Sequence, residues 1–179
     1  MKNYLAKMRG SQTSPPGPTL SEVFWSWLGA FLGIGLVAFL HEHWLSAMDL
    51  SLLIGSFGAS AVLIYGAIAS PLAQPRNLLG GHFISALIGV AIFQTVGTTP
   101  WLAAALAVSL AIAAMLATRT LHPPGGATAL IAVIGSQRIH DLGYLYALVP
   151  VLSGACIMLI VALLVNNLAD KRRYPLWWW

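Results

Sequence analysis

Apolar residues fall into six segments along the chain, separated by short stretches rich in polar residues, glycine or proline. A helix needs about 20 mostly apolar residues to cross a lipid bilayer, and most of these segments approach that length. They run approximately over residues 22–40, 50–70, 80–96, 101–118, 127–135 and 142–165. The fifth is too short to cross a bilayer alone as a helix. The pattern predicts an all-α polytopic membrane protein with about six membrane segments.

Two of the six segments are interrupted. The second contains Gly55-Ser56-Phe57-Gly58, and glycine is among the weakest helix formers. The fifth is preceded by His122-Pro123-Pro124-Gly125-Gly126. Proline is tolerated in the first turn of a helix, so this stretch indicates a helix start. We therefore predict that the second and fifth segments are broken helices.

Similar short words recur in the same order in the two halves of the chain. The pairs are Trp27-Leu28-Gly29-Ala30 with Trp101-Leu102-Ala103-Ala104, Gly58-Ala59-Ser60-Ala61 with Gly126-Ala127-Thr128-Ala129, and Leu79-Gly80 with Leu142-Gly143. A three-segment unit placed twice in tandem is inverted in the membrane, an architecture in which many transporters build a midplane site. We expect one transmembrane domain over residues 21–168, with inverted repeats over 21–98 and 99–168. A flexible cytoplasmic tail (1–20) precedes it and a basic, aromatic tail (169–179) follows it.

The composition is that of a chain surrounded by lipid. Only 8% of the 179 residues are charged, against about 25% in soluble domains, which is too few to cover a water-facing surface. A net charge of +4 would suggest a nucleic acid partner in a soluble protein. Here the basic residues lie in tails and loops, so we expect the lipid bilayer as a partner and no nucleic acid.

The basic residues also predict an orientation. With six crossings, one side of the membrane receives Lys2, Lys7, Arg9, Arg76, Arg119 and the run Lys171-Arg172-Arg173. The positive-inside rule then places both termini in the cytoplasm, and we expect a multi-pass protein of the plasma (inner) membrane with an uncleaved first span. If the broken segments did not cross, only four spans would remain.

All five acidic residues lie at segment ends or in loops: Glu22, Glu42, Asp49, Asp141 and Asp170. Cation transporters and many proton-coupled pumps rely on a carboxylate within the membrane. The pattern therefore favours an anion or a neutral solute. His41 and His43 are too few to hold a metal ion, and on a helix their side chains point apart. The intramembrane residues also supply no nucleophile–base pair of the kind an enzyme needs. We expect neither an enzyme nor a metal or other cofactor.

The starts of the two broken helices are the candidate substrate site. A helix start carries unpaired N–H groups and the positive end of the helix dipole, both of which favour anions. The candidate donors around a substrate are Ser56, Gly58, Ser60, Gly126, Ala127 and Thr128, with Ser60 and Thr128 in equivalent places. The alternative is that the small residues only let helices pack closely. We prefer that reading for Gly29 and Gly33, whose spacing suits helix packing or a homo-oligomer contact.

Basic, imidazole and proline residues near the breaks are candidates for gating or electrostatic roles. They are Arg76, Asn77, His82, Arg119, His122, Pro123 and Pro124. An arginine at the cytoplasmic mouth attracts anions. The alternative is that the arginine is simply a positive-inside anchor with no role in transport. His122 suits capping, gating or proton shuttling. His82 starts the third segment, where it is placed to face the same cavity.

The stretch RTLHPPGGATAL, from Arg119 to Leu130, resembles the signature of the HPP family of membrane proteins, named for its His-Pro-Pro motif. The stretches GSFGAS (55–60) and SPLAQPRN (70–77) resemble the family's other characteristic segments, and the likeness covers roughly residues 25–167. The family is usually described with four spanning helices, which differs from the six predicted here. Plant plastid members are implicated in nitrite transport. Some members carry an added regulatory domain, which we do not expect in these 179 residues.

These observations predict a permease, either a transporter or a channel, for a small inorganic monoanion, and the resemblance favours nitrite. Two alternatives stay open. One is a permease for a small neutral solute, because helix dipoles do not demand a full negative charge. The other is a non-transporting membrane subunit of a complex. The paired breaks favour transport, because a simple anchor would not need them.

Overall fold

The computed structural model describes residue 14 and residues 16–45 and 54–179. Most of the predicted N-terminal tail and the first residues of the predicted second segment lie outside this range. Within it the chain is helical and contains no strand. The α-helices are α1 (Leu20–Leu40), α2 (Ser56–Ala61), α3 (Pro75–Val96), α4 (Pro100–Ala117), α5 (Pro123–Ile134), α6 (Gln137–Asp141) and α7 (Ser153–Asn166).

Shorter helical turns extend or connect these helices. A π-helical turn at His41–Leu45 follows α1, another at Val62–Gly66 follows α2, and a 3₁₀ turn at Pro71–Ala73 precedes α3. A 3₁₀ turn at Gly143–Ala147 and a π-helical turn at Leu148–Leu152 lead into α7.

Four helical stretches in the described part are long and apolar enough to cross a membrane: Leu20–His43, Pro75–Val96, Pro100–Ala117 and Gly143–Asn166. Two shorter apolar helices, Ser56–Gly66 and Pro123–Ile134, accompany them. The prediction of an all-α, multi-pass membrane protein is confirmed at this level. Both shorter helices begin where the glycine and proline stretches predict a helix start.

The helix starts follow from local chemistry. Thr19 and Glu22 form a capping box at the start of α1, in which each side chain pairs with the other residue's backbone N–H. Proline occupies the first turn of α3, α4 and α5, where its missing N–H costs nothing. Because Pro75 starts α3 directly after Gln74, the third segment begins earlier than the predicted residue 80. Arg76 and Asn77 therefore lie in the first turn of a helix and not in the predicted loop.

The last segment is not the single continuous helix that its length suggests. Val149 has an extended backbone, with φ −130° and ψ 114°, between the two turns that precede α7. Pro150 follows it. Proline lacks an N–H and disfavours the helical conformation of the residue before it, so the helix restarts after this point.

Close backbone contacts tie the helices into two groups. In the first group, α5 packs against α3 and α4. A Cβ added to Gly89 of α3 would lie 2.6 Å from the Ala129 carbonyl oxygen of α5. In the second group, the long helices α1 and α7 pack against each other and against the short helix α2. A Cβ on Gly29 of α1 would lie 2.6 Å from the Tyr65 ring, and one on Gly154 of α7 would overlap the Phe57 ring. The Gly29–Gly33 spacing thus serves helix packing inside the chain.

The tail of the chain docks where α3 begins. The Tyr174 hydroxyl donates to the Ala73 carbonyl at 2.7 Å, and the Leu176 amide donates to the Gln74 side chain at 2.9 Å. The Arg172 guanidinium donates to the carbonyl of Tyr65. We call this end of the molecule the tail end. Burial within these contacts lowers the pKa of Arg172, and the carboxylate of Glu22 partly offsets that effect.

The opposite end, which we call the far end, is marked by α6. The His140 ring of α6 stacks on Phe93 with ring centroids 3.7 Å apart. Phe93 lies 18 residues along α3 from Pro75, which corresponds to roughly 27 Å of helix. Residues 137–141 and residues 171–176 are thus near opposite ends of α3.

Candidate functional site

The two short helices cross each other in antiparallel directions. Thr128, in the second turn of α5, has its hydroxyl 2.9 Å from the hydroxyl of Ser56, the first residue of α2. Ser60, in the second turn of α2, has its hydroxyl 2.9 Å from Nε2 of His122, which directly precedes α5. The start of each helix therefore lies beside the second turn of the other. Inverted repeats are expected to produce this kind of crossing.

A third helix contributes the imidazole at the centre of the crossing. His82 of α3 has Nε2 2.7 Å from the Ser60 hydroxyl and Nδ1 2.7 Å from the Thr128 hydroxyl. The two hydroxyls at equivalent positions of the repeated words thus contact one ring. Together with Ser56 and His122, these residues form what we call the crossing cluster. All five side chains are buried, with at most 1% of their surface exposed.

Neighbouring backbone groups fix the orientation of the cluster. His122 Nδ1 lies 2.8 Å from the Leu72 carbonyl, and the Tyr146 hydroxyl donates to the Thr128 carbonyl at 3.0 Å. Gly81 of α3 leaves room for His122, since a Cβ there would lie 2.6 Å from the His122 Cβ. The edge of Phe57 faces the His82 ring at a centroid distance of 5.6 Å. The two imidazoles are consequently held with their centroids 4.9 Å apart.

The helix starts offer fewer free amides than expected. Pro123 and Pro124 have no N–H, and the Gly125 amide donates to the His122 carbonyl at 2.8 Å. At the other start, the amides of Phe57 and Gly58 donate to the carbonyls of residues 54 and 55. The expectation of unpaired N–H groups is wrong for these amides. The polar chemistry at the crossing therefore comes from hydroxyl and imidazole side chains.

The family model for the HPP transmembrane region matches residues 15–175. The chain belongs to the HPP family. Two Dictyostelium discoideum proteins, each described as a transmembrane protein, are 50% and 51% identical to it over 180 and 174 residues. These alignments cover 98% and 95% of this chain but 57% and 60% of the relatives, so the chain spans less than two thirds of their length. No solved structure matches it.

The HPP motif, His122-Pro123-Pro124, thus places one imidazole in the cluster and starts α5. Three other predicted donors lie away from the cluster's hydrogen bonds. Gly58 is exposed, and a Cβ there would meet nothing within 4 Å. A Cβ on Gly126 would come no closer than 3.8 Å to Val108, and Ala127 is half-buried. A role of these three in binding substrate stays a prediction.

The remaining predicted residues of this HPP protein lie towards the tail end. Asn77 is buried, donates to the Leu121 carbonyl at 2.7 Å, and has a side-chain oxygen without a partner. The Arg76 guanidinium lies over the Trp177 ring at 4.9 Å, and its Nε is also buried without a partner. Arg119 is exposed in the turn after α4 with a positive φ of 57°. The contacts that Asn77 and Arg76 make here, with Leu121 and Trp177, do not involve the crossing cluster.

Two partners of the cluster were not foreseen. The Leu72 carbonyl carries no sequence signal, since any residue supplies a carbonyl. Tyr146 falls in a stretch that looked like an ordinary membrane helix, where a buried tyrosine hydroxyl is the only hint of a polar partner. The bridging position of His82 depends on the packing of α3 against both short helices.

Proposed function

We propose that this HPP protein is a permease for a small inorganic monoanion, with nitrite as the favoured substrate, acting at the crossing cluster. The observation that carries the proposal is the pairing of Ser60 and Thr128 on the His82 ring, deep between two broken helices. Ionisable and polar residues inside a membrane are costly and mark substrate or ion pathways. The hydroxyls of Ser56, Ser60 and Thr128 and the ring N–H groups are the donors that would bind the anion.

The charge around the crossing supports an anion. The acidic side chains that the structure describes lie elsewhere: Glu22 pairs with Thr19, Asp141 accepts from Gln137, and Glu42 and Asp170 are exposed. A buried charge without a partner is strongly disfavoured, and none of these four carboxylates competes for the cluster's donors. A monoanion would be the negative partner of this site.

The proposed architecture is six crossings arranged as two inverted repeats. Three observations support it. The chain returns from the end of α1 to the tail end at Tyr65, where Arg172 contacts it. It also passes from Thr120, beside Gly80 near the start of α3, to His140, beside Phe93. The elements 20–40, 56–66 and 75–96 are matched in order and kind by 100–117, 123–134 and 143–166. Both termini would face the cytoplasm.

The proposed transport cycle is a relative movement of the two helix groups. Ser56 and Ser60 belong to the group of α1, α2 and α7, whereas His82, His122 and Thr128 belong to the group of α3, α4 and α5. Three hydrogen bonds join the two groups: Ser60 with His82, Ser60 with His122, and Thr128 with Ser56. The described conformation is closed, because the donors satisfy one another. Separation of the groups on either side would expose the donors to an anion, as in the rocking of inverted repeats.

Purified protein in lipid vesicles tests the proposal. We expect uptake of nitrite above that of protein-free vesicles, and weaker or no uptake of a neutral solute such as urea. Uptake of urea with no uptake of nitrite, nitrate, formate or chloride would indicate that the site binds a neutral solute and not an anion. Rates equal to those of protein-free vesicles for every solute would point to a non-transporting subunit and end the proposal.

A further inference from the structure

Two imidazoles in the crossing cluster share one hydroxyl. The Ser60 oxygen lies 2.7 Å from His82 Nε2 and 2.9 Å from His122 Nε2. A hydroxyl has a single proton, so it can donate to only one of these nitrogens at a time. The other nitrogen must then donate to the Ser60 oxygen, or else two lone pairs face each other.

The outer nitrogen of each ring restricts its protonation. His122 Nδ1 faces the Leu72 carbonyl at 2.8 Å, and a carbonyl only accepts, so this nitrogen carries a proton. Thr128 is positioned to donate its own proton to the Ser56 hydroxyl at 2.9 Å or to the Pro124 carbonyl at 3.3 Å. When Thr128 donates to one of these two acceptors, its oxygen accepts from His82 Nδ1 at 2.7 Å, and in that arrangement this nitrogen also carries a proton.

This arrangement leaves room for one proton more than two neutral rings supply. With both Nδ1 atoms protonated, neutral rings would present two bare Nε2 atoms to Ser60, and only one could be paired. One added proton on either Nε2 completes every hydrogen bond in the cluster and makes that ring an imidazolium. Two concerted proton shifts, from one Nε2 to the Ser60 oxygen and from the Ser60 hydroxyl to the other Nε2, move the added proton from one ring to the other, and the hydroxyl then donates to the first ring.

Among the residues that the structure describes, the groups in contact with the two rings supply no negative charge to balance an imidazolium. The side chains in contact with the rings are Ser60 and Phe57 from α2 and Thr128 from α5. The Tyr146 hydroxyl is used on the Thr128 carbonyl. A buried positive charge needs a paired negative one. The cluster is therefore suited to hold a proton and a monoanion at the same time.

A buried polar side chain lies next to the HPP motif on the tail-end side. Asn77 donates to the carbonyl of Leu121, the residue before His122, and its side-chain oxygen is buried without a partner. Buried acceptors of this kind are normally satisfied by protein groups or ordered water. Asn77 thus marks a buried polar position beside the backbone that holds His122.

We infer that His82, Ser60 and His122 form a proton relay that couples anion movement to proton movement in the same direction. This inference rests on the proposed function and names its coupling ion. A proton from water adds to the free ring nitrogen, the monoanion binds as its counter-ion, and both leave on the other side when the imidazolium returns its proton to water. The net process moves one anion with one proton and no net charge.

Vesicles loaded with a pH-sensitive dye test the coupling directly. Nitrite is added outside at matched pH, and internal acidification, nitrite uptake and the effect of a membrane potential are measured, with protein-free vesicles subtracted to remove passive entry of nitrous acid. We expect acidification in step with uptake and uptake that does not respond to the potential. The matched variants are His82→Gln and His122→Gln against His140→Gln, since His140 stacks on Phe93 away from the cluster.

The variants should separate coupling from folding. We expect dye acidification to fall to the level of protein-free vesicles in both cluster variants and to be unchanged in His140→Gln. Nitrite uptake by the wild type that follows the membrane potential without acidification would overturn the relay while keeping the permease. No nitrite uptake by the wild type would overturn the permease and the relay together. Because the wild-type result decides between these outcomes, a variant that fails to fold does not prevent a decision.

Discussion

Ser60 and Thr128 contact the same imidazole ring from two sides, with both hydroxyl oxygens 2.7 Å from a nitrogen of His82. The two residues belong to short helices from different halves of the chain, and His82 belongs to neither. A single side chain therefore joins both short helices at the point where they cross. Movement of one short helix relative to the other has to break one of these two hydrogen bonds.

The packing of Tyr65 into α1 makes a first prediction. A Cβ on Gly33 would overlap the Tyr65 hydroxyl, whereas a Cβ on Gly35 would meet nothing within 4 Å. Overpacking a close contact typically costs about 1–3 kcal/mol. We expect Gly33→Ala to lower the melting temperature of the purified protein by several degrees, and Gly35→Ala to leave it unchanged. Equal melting temperatures for the two variants would show that α1 does not pack on Tyr65 in this way.

The approach of α5 to α3 makes a second prediction. A Cβ on Gly125 would lie 2.7 Å from the Ser85 hydroxyl and 2.9 Å from the Gly81 carbonyl, but one on Gly126 would meet only Val108 at 3.8 Å. We expect Gly125→Ala to destabilise the fold, because backbone atoms would have to move apart. Gly126→Ala should fold normally, as judged by gel filtration and thermal melting. If Gly126→Ala folds but loses nitrite uptake, Gly126 acts at the substrate site as the sequence predicts.

The proposed six crossings make a third prediction. Residues 137–141 lie at the far end. The C-terminal tail lies at the other end, where Leu176 contacts Gln74 and Arg172 contacts Ser26 near the start of α1. A reporter inserted after Ser136 should be accessible only from outside the cell, and a reporter fused at the C-terminus only from inside. A cytoplasmic signal after Ser136 would reject six crossings and with them the inverted repeats.

The main features of the fold could be predicted from local sequence signals. Glycine and proline placed the starts of both short helices, because their effects on the backbone are local. The repeated words Gly58-Ala59-Ser60-Ala61 and Gly126-Ala127-Thr128-Ala129 identified the two hydroxyls that meet at the crossing. The break before α7 was missed although Pro150 signals it, because the surrounding residues are uniformly apolar.

The contacts that complete the site could not be predicted, because they join distant residues. His82 reaches Ser60 across 22 residues and Thr128 across 46, and such pairs depend on how helices pack rather than on spacing along the chain. Likewise, nothing local in the basic, aromatic tail predicts that it docks on the start of α3 through Tyr174 and Leu176. The Arg76 side chain, for which the sequence left open a cytoplasmic mouth or a positive-inside anchor, lies over Trp177 of that tail.

The central claim is that the cluster at the helix crossing binds the transported anion, and nitrite uptake by Thr128→Val tests it most directly. Valine keeps the shape of the side chain but leaves His82 Nδ1 without its partner at 2.7 Å, and an unpaired buried group costs about 1–3 kcal/mol. Thr95→Val is the matched control, because the exposed Thr95 hydroxyl bonds only within its own helix. We predict that Thr128→Val takes up nitrite at about one tenth of the wild-type rate or below, since 1.4 kcal/mol corresponds to tenfold. Thr95→Val should take up nitrite at the wild-type rate. Wild-type uptake by both folded variants would contradict the account.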